Sequence, residues 1–217
     1  MLESVVFDFD GVLVNSPEFY IKYTKKYLAN LGIPLTKKDV SAIVGHPYSY
    51  KLDYLNKTYS LKITKNDFLN AVEQEMKLDM DKKMKNPPNL HNLLSELKEN
   101  KVQLNVASSN IEKNVVFYLK KFDVDHYFSN IVTLDSGFKP KPAPDVYLET
   151  LRRSNKKAIN CVAVEDTEIG VISARKAGLR VIAVPNKLTS SQNFSDADLV
   201  LKDFRNLNLS VFKSVVL

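Results

Sequence analysis

Hydrophobic positions fall into two patterns along the chain. Short, β-rich apolar runs occupy residues 5–9, 102–107, 131–134, 161–164 and 180–184, with a weaker sixth at 198–201. Their nearly continuous apolar character predicts strands buried on both faces. Between them lie segments with the helical period, at 111–122, 144–153 and 167–177, the last stopped by Gly178 as a C-terminal cap. Strands alternating with helices predict the α/β class, with a doubly wound parallel sheet.

The interval between the first two strands is too long for one crossover helix. It reads as helix throughout: 17–31 ending at Gly32, a start at Thr36 with Asp39 three residues on, then 48–56 and 64–82. Residues 16–85 are therefore expected to form an inserted helical module, and residues 1–15 and 86–217 the core. Asn86-Pro87-Pro88 marks the return, and Leu90, Leu93, Leu94 and Leu97 share one face of the helix that follows.

Composition narrows the class. Of 217 residues, 44% are hydrophobic and 26% charged, with 6 Gly and 9 Pro, which argues for a globular core and against disordered or collagen-like chains. Cys161 is the only cysteine, so no intrachain disulfide or CxxC site exists. His46, His91 and His126 are scattered, without the i, i+4 pair of a helical zinc site, which leaves hard, oxygen-ligated ions as the metals to consider. No apolar run approaches the roughly 18 residues of a membrane span. The first residues lead directly into the first strand without a basic region and cleavage site, so a cytoplasmic protein is expected, with no membrane partner. The net charge of +6 resides in lysines spread along helices without interleaved aromatics, the pattern of a solvated face and not of a nucleic-acid groove. A small anionic partner suits the same field.

Four segments carry chemistry, each just beyond a predicted strand or opening a helix. Asp8-Phe9-Asp10-Gly11 presents two carboxylates at i and i+2 from the carboxyl end of the first strand, where open α/β sheets bind ligands. Ala107-Ser108-Ser109-Asn110 offers hydroxyls and amides at a helix start, suited to phosphate oxygens. Lys139-Pro140-Lys141-Pro142-Ala143-Pro144-Asp145 stiffens a lysine before a helix, and Val164-Glu165-Asp166-Thr167 brings a second acidic pair to a strand tip. Taken singly, these are a capped turn, a helix cap, a rigid loop and a solvated turn. Their order along one sheet edge separates them from that reading.

Together the four segments resemble the motifs of the haloacid dehalogenase superfamily, over essentially the whole chain: Asp8-Phe9-Asp10-Gly11-Val12, Ser108, Lys141 before Pro-Ala-Pro-Asp, and Glu165-Asp166. The resemblance implies a Rossmann-like core with a small helical cap, of the β-phosphoglucomutase and phosphoglycolate phosphatase kind. It implies Asp8 as nucleophile through an aspartyl-phosphate, and Asp10 as acid and then base. Ser108, Ser109, Asn110 and Lys141 would bind the phosphoryl group, with His46 a substrate contact from the cap. Mg2+ would be held by Asp8, Asp166 and the Asp10 carbonyl, with Glu165 binding directly or through water. The expected activity is hydrolysis of a small phosphorylated metabolite, a sugar phosphate, phosphoglycolate or a nucleotide, by a monomer. Mutases of this family usually carry a histidine at what is Tyr20 and an arginine near Tyr48, so hydrolysis leads. A phosphosugar mutase and a non-catalytic phosphometabolite-binding protein are the alternatives. Asn15 departs from the family's usual aspartate, at a position expected to support the loop and the cap hinge.

Overall fold

The computed structural model describes residues 1–216. Six strands, β1 (Ser4–Phe7), β2 (Gln103–Ala107), β3 (Phe128–Val132), β4 (Cys161–Glu165), β5 (Arg180–Ala183) and β6 (Leu199–Val200), form one sheet in the order β3-β2-β1-β4-β5-β6. Every pairing is parallel. The order reverses direction between β1 and β4, which makes the crevice beyond their carboxyl ends the natural ligand position.

Period-two alternation divides the strand side chains between two cores. Val5, Phe7, Leu104, Val106, Val162, Val164 and Ile182 face one layer, while Val6, Ala107, Cys161, Ala163, Val181 and Ala183 face the other. The first face carries α5 (Leu90–Glu99), α6 (Glu112–Lys121) and α9 (Leu209–Val216); the second carries α7 (Asp145–Ser154) and α8 (Glu168–Lys176). The one buried amide on an inner strand is satisfied: Asn105 donates to Ser4 Oγ and accepts from Asn130 Nδ2, both at 2.8 Å.

Between β1 and β2 the chain builds α1 (Ser16–Asn30), α2 (Lys37–Ile43), α3 (Tyr48–Tyr59) and α4 (Lys65–Lys83). Thr36 with Asp39, and Thr64 with Asp67, close reciprocal capping boxes at the starts of α2 and α4. The two chain crossings into this helical unit lie side by side. Asn15 N–H donates to the Lys85 carbonyl at 3.1 Å, and Lys85 N–H donates to Asn15 Oδ1 at 2.8 Å. Asparagine at position 15 thus ties the two crossings together through its side chain.

Some expectations are corrected. β1 ends at Phe7, two residues early, because Leu13 and Val14 N–H groups fold back onto the Phe9 carbonyl and Gly11 N–H onto Val14. β3 begins at Phe128, and Leu134 lies in a 3-10 turn; the register pairs Val132 with Ala107, so the strand is spent before residue 134. Burial on both faces holds for β1, β2, β4 and β5 but not for β3 and β6, which lie at the sheet edges. α3 runs on to Tyr59 before Ser60 ends it at φ 54°. α9 lies beyond the segments that the sequence pattern marks as helix, and it seats Phe212 edge-on against Phe7 with ring centroids 6.4 Å apart.

Candidate active site

Register brings the functional residues to one level. Phe7 pairs with Val106 on one side and Val164 on the other, so the next residues, Asp8, Ala107 and Glu165, emerge together. Asp8 N–H still donates to the Val164 carbonyl at 3.0 Å, which fixes its side chain over the β1/β4 crevice.

Lys141 is the hub. Its ammonium, 5% exposed, donates to Asp8 Oδ1 and Glu165 Oε1 at 2.6 Å each and to the Ala107 carbonyl at 3.1 Å, which matches its three protons. Lys139 is exposed; Lys141 alone of the two reaches Asp8. Tyr147, on α7, donates to the same Glu165 Oε1 at 2.5 Å. Glu165 Oε2 accepts from Asp166 N–H at 3.3 Å and the Thr167 hydroxyl at 3.5 Å. The Glu165 carboxylate fits only because Gly170 lacks a side chain, since a Cβ there would lie 2.0 Å from Oε2.

Asp8, Glu165 and Asp166 offer oxygens within 4.8 Å of one another. Three buried carboxylates against one ammonium leave an uncompensated negative charge. Burial pushes the Asp8 carboxyl up to about 8 against the pull of Lys141, and burial together with Asp8 and Glu165 raises Asp166 well above the usual range. Burial lowers the Lys141 ammonium, but Asp8 and Glu165 outweigh it and hold it above its ordinary value. Asp166 Oδ2 accepts from Asn186 Nδ2 at 2.7 Å, whereas its Oδ1, also buried, has no partner among the described residues. An orphaned carboxylate oxygen amid excess negative charge fits a hard divalent cation. Gly11, at φ +94°, leaves room for this carboxylate: a Cβ would sit 2.0 Å from Asp166 Oδ2.

Asp10 stands apart from that cluster. It accepts from the Ser16 hydroxyl at the start of α1 and from Asn110 Nδ2 at 3.1 and 3.2 Å. Asn110 is itself oriented, its Oδ1 accepting from Ile111 N–H at 2.8 Å. Burial raises the Asp10 carboxyl despite those donors. Ser108 is fully buried, with Oγ accepting from Asn110 N–H at 3.0 Å, and does not line the cavity; Ser109 does, with a buried Oγ lacking a partner among the described residues.

These groups form the floor of a cavity of about 650 Å3 whose roof is the helical unit. His46 lines the roof, half-buried and stacked on Tyr50 at 3.9 Å, and burial lowers its imidazole below the ordinary value. Tyr20 and Tyr48 meet edge to face at 5.9 Å, and Met76, Met80 and Met84 add an apolar wall. A core loop clasps the roof. Gln192 Nε2 donates to the Ser41 and Val44 carbonyls at 3.1 and 3.3 Å, while its Oε1 accepts from Glu168 N–H at 3.0 Å. Sequence reading missed Ser16, Lys51, Tyr147, Asn186 and Gln192. Of these, Asn186 carried a signal, as a polar residue shortly beyond the carboxyl end of a strand.

A pocket of this kind, on the carboxyl edge of a doubly wound sheet and roofed by an inserted helical unit, places the protein among capped α/β proteins that bind their ligand at the sheet's switch point. More narrowly, the chain belongs to the haloacid dehalogenase-like hydrolase family, which it matches over residues 5–184. The family and hydrolase class expected from the motifs are thereby borne out. The chain is 28% identical over 216 residues to a phosphorylated carbohydrates phosphatase of Thermotoga maritima, covering 99% of this chain and 100% of that one. It is 23% identical over 217 residues to the β-phosphoglucomutase of Bacillus subtilis, covering 97% and 93% respectively. In fold it is similar to CbbY of Rhodobacter sphaeroides, solved with phosphate, at a TM-score of 0.80 and 24% identity, covering 98% and 100%.

Proposed function

We propose that the protein is a phosphoric monoester hydrolase that acts on a small phosphorylated metabolite with Mg2+ and an aspartyl-phosphate intermediate. The observation that carries this reading is the grouping of Asp8, Glu165 and Asp166 within 4.8 Å around Lys141, with Asp10 in the same cavity. Asp8, Asp166 and the Asp10 carbonyl would hold Mg2+, which when bound supplies positive charge to the phosphoryl oxygens; Glu165, engaged by Lys141 and Tyr147, contributes its charge beside them.

In this reading Asp8 attacks phosphorus, the leaving oxygen takes the proton of Asp10, and Asp10 then removes a proton from the water that releases phosphate. Burial suits Asp10 to the first of these roles, because a raised carboxyl retains its proton nearer neutrality. Lys141 holds Asp8 in one orientation, and the Ser109 hydroxyl, the amides at the start of α6 and Asn110 form the phosphate cradle, with Ser108 supporting Asn110 from beneath. Residues 16–85 serve as the cap, hinged at the paired Asn15 and Lys85, and His46 faces substrate from it. Tyr20 and Tyr48 on the cavity wall favour hydrolysis over the mutase reaction, because neither supplies the histidine or arginine usual in mutases of the family. A cytoplasmic monomer without a nucleic-acid or membrane partner belongs to the same proposal; among the described residues no helix is long and apolar enough to cross a membrane.

The test is release of phosphate from p-nitrophenyl phosphate. Activity is expected with Mg2+, with loss on chelation and loss in Asp8→Asn. Turnover that survives Asp8→Asn would eliminate the covalent route.

A further inference from the structure

Asn186 lies just beyond the end of β5, and both ends of its side-chain amide are engaged. Oδ1 accepts from Leu188 N–H at 2.8 Å, and Nδ2 donates to Asp166 Oδ2 at 2.7 Å. The first contact fixes the second: with the amide oxygen turned to an N–H, only the NH2 group can meet the carboxylate. The backbone is held as firmly. Asn186 N–H donates to the Thr189 hydroxyl at 3.0 Å, and the Asn186 carbonyl accepts from Thr189 N–H at 3.1 Å and Ser190 N–H at 2.9 Å. Thr189 is itself fully buried, which anchors this turn in the core.

The consequence falls on Asp166, whose side chain is fully buried. The amide takes Oδ2, and the Gly11 backbone packs on the same atom, since a Cβ there would lie 2.0 Å from it. Oδ1 is the oxygen without a partner among the described residues. The carboxylate is thereby confined to offering one oxygen. Because an amide is neutral, this orientation cancels none of the charge that draws a cation, whereas Lys141 holds Asp8 and Glu165 through ion pairs. One-oxygen binding suits Mg2+, which demands near-octahedral geometry at about 2.0–2.1 Å; Ca2+, with more ligands at about 2.3–2.6 Å, readily takes both oxygens of a carboxylate.

We infer that Asn186 is a positioning residue that makes Asp166 a one-oxygen ligand and thereby raises the affinity of the site for Mg2+ relative to Ca2+. This rests on the Mg2+ reading for the presence of an ion, but on Asn186 and its turn for the choice between ions.

Melting temperature titrated separately with Mg2+ and Ca2+ yields an apparent Kd for each ion without turnover. Asn186→Leu fills the same space without either amide bond. Asn186→Ser keeps a hydroxyl that can turn the loop but ends short of Asp166, so it carries the test if the leucine variant does not fold. In both, the Kd for Mg2+ should rise about 10–100-fold. Ca2+ should weaken far less, so the ratio of Mg2+ to Ca2+ affinity should fall by about tenfold or more. Thr189→Val loosens the turn while leaving the amide of Asn186 in place, and it should keep the wild-type ratio. Melting in chelator reads the stability cost of each variant separately. Equal weakening of both ions in Asn186→Ser would mean a merely structural role and overturns the inference. Unchanged Mg2+ affinity in that variant overturns it too, as does a Thr189→Val ratio shifted as far as that of Asn186→Ser. A wild type that binds neither ion defeats the Mg2+ reading and the inference together; one that binds Mg2+ with a ratio indifferent to Asn186 defeats the inference alone.

Discussion

Tyr147 and Lys141 donate to the same oxygen of Glu165, at 2.5 and 2.6 Å, and Lys141 continues to Asp8. A fully buried glutamate thereby positions the lysine that holds the proposed nucleophile. Tyr147→Phe removes one donor to a buried anion, and the expected cost is about 1.5–3 kcal/mol in urea unfolding. Turnover should fall less than in a variant lacking the lysine.

Lys141→Met strips the shared partner from two buried carboxylates. Breaking such a pair costs about 3–5 kcal/mol, and loss of one transition-state donor lowers turnover by about 10²–10³. Unfolding in chelator and phosphate release with Mg2+ measure the two effects separately.

Excess negative charge at Asp8, Glu165 and Asp166 makes the native state a receptor for divalent cations. Free Mg2+ at a hundred times its Kd should raise unfolding free energy by about 2.7 kcal/mol. Asp166→Asn should remove that response, and in chelator it should be at least as stable as the wild type, because a like charge has gone. A wild-type melting temperature indifferent to Mg2+ would rule out a cation at this cluster.

Asp39, buried in the cap, supplies a pH dependence of its own. Burial alone would raise its carboxyl, but the Thr36, Tyr59 and Tyr54 hydroxyls and the Thr36 N–H bring it down to about 2 from 3.8. The folded value lies below the unfolded one, so the stabilisation is present above pH 3.8 and disappears as pH falls toward about 2. At about 1.4 kcal/mol per unit it amounts to about 2 kcal/mol. Asp39→Asn should be less stable than the wild type by that amount at neutral pH, with the gap closing in acid unfolding.

The parts legible in the sequence are those whose cause is local. Inner strands announce themselves because burial on both faces demands uninterrupted apolar residues, and Thr36 with Asp39 or Thr64 with Asp67 states a helix start within four residues. β3 escaped accurate placement because an edge strand is half-exposed, and α9 because its pattern follows no crossover. At the site, Asp8, Asp10, Lys141, Glu165 and Asp166 each follow a strand or open a helix, so motif order could suggest their meeting. Lys51 and Tyr147 carried no such mark. Each lies within a helix, as residues serving an ordinary core also do, and only tertiary packing turns Tyr147 toward Glu165 or Lys51 toward Tyr20.

The loop after β5 has hold of two things at once. Asn186 at its beginning grips Asp166, and Gln192 near its end grips the carbonyls of Ser41 and Val44. Placement of the helical unit over the crevice and alignment of a carboxylate beneath it therefore share one strut of seven residues, from Asn186 to Gln192. Substituting Asn186 or Gln192 therefore releases one of the two anchors of a segment that touches both the helical unit and the carboxylate cluster.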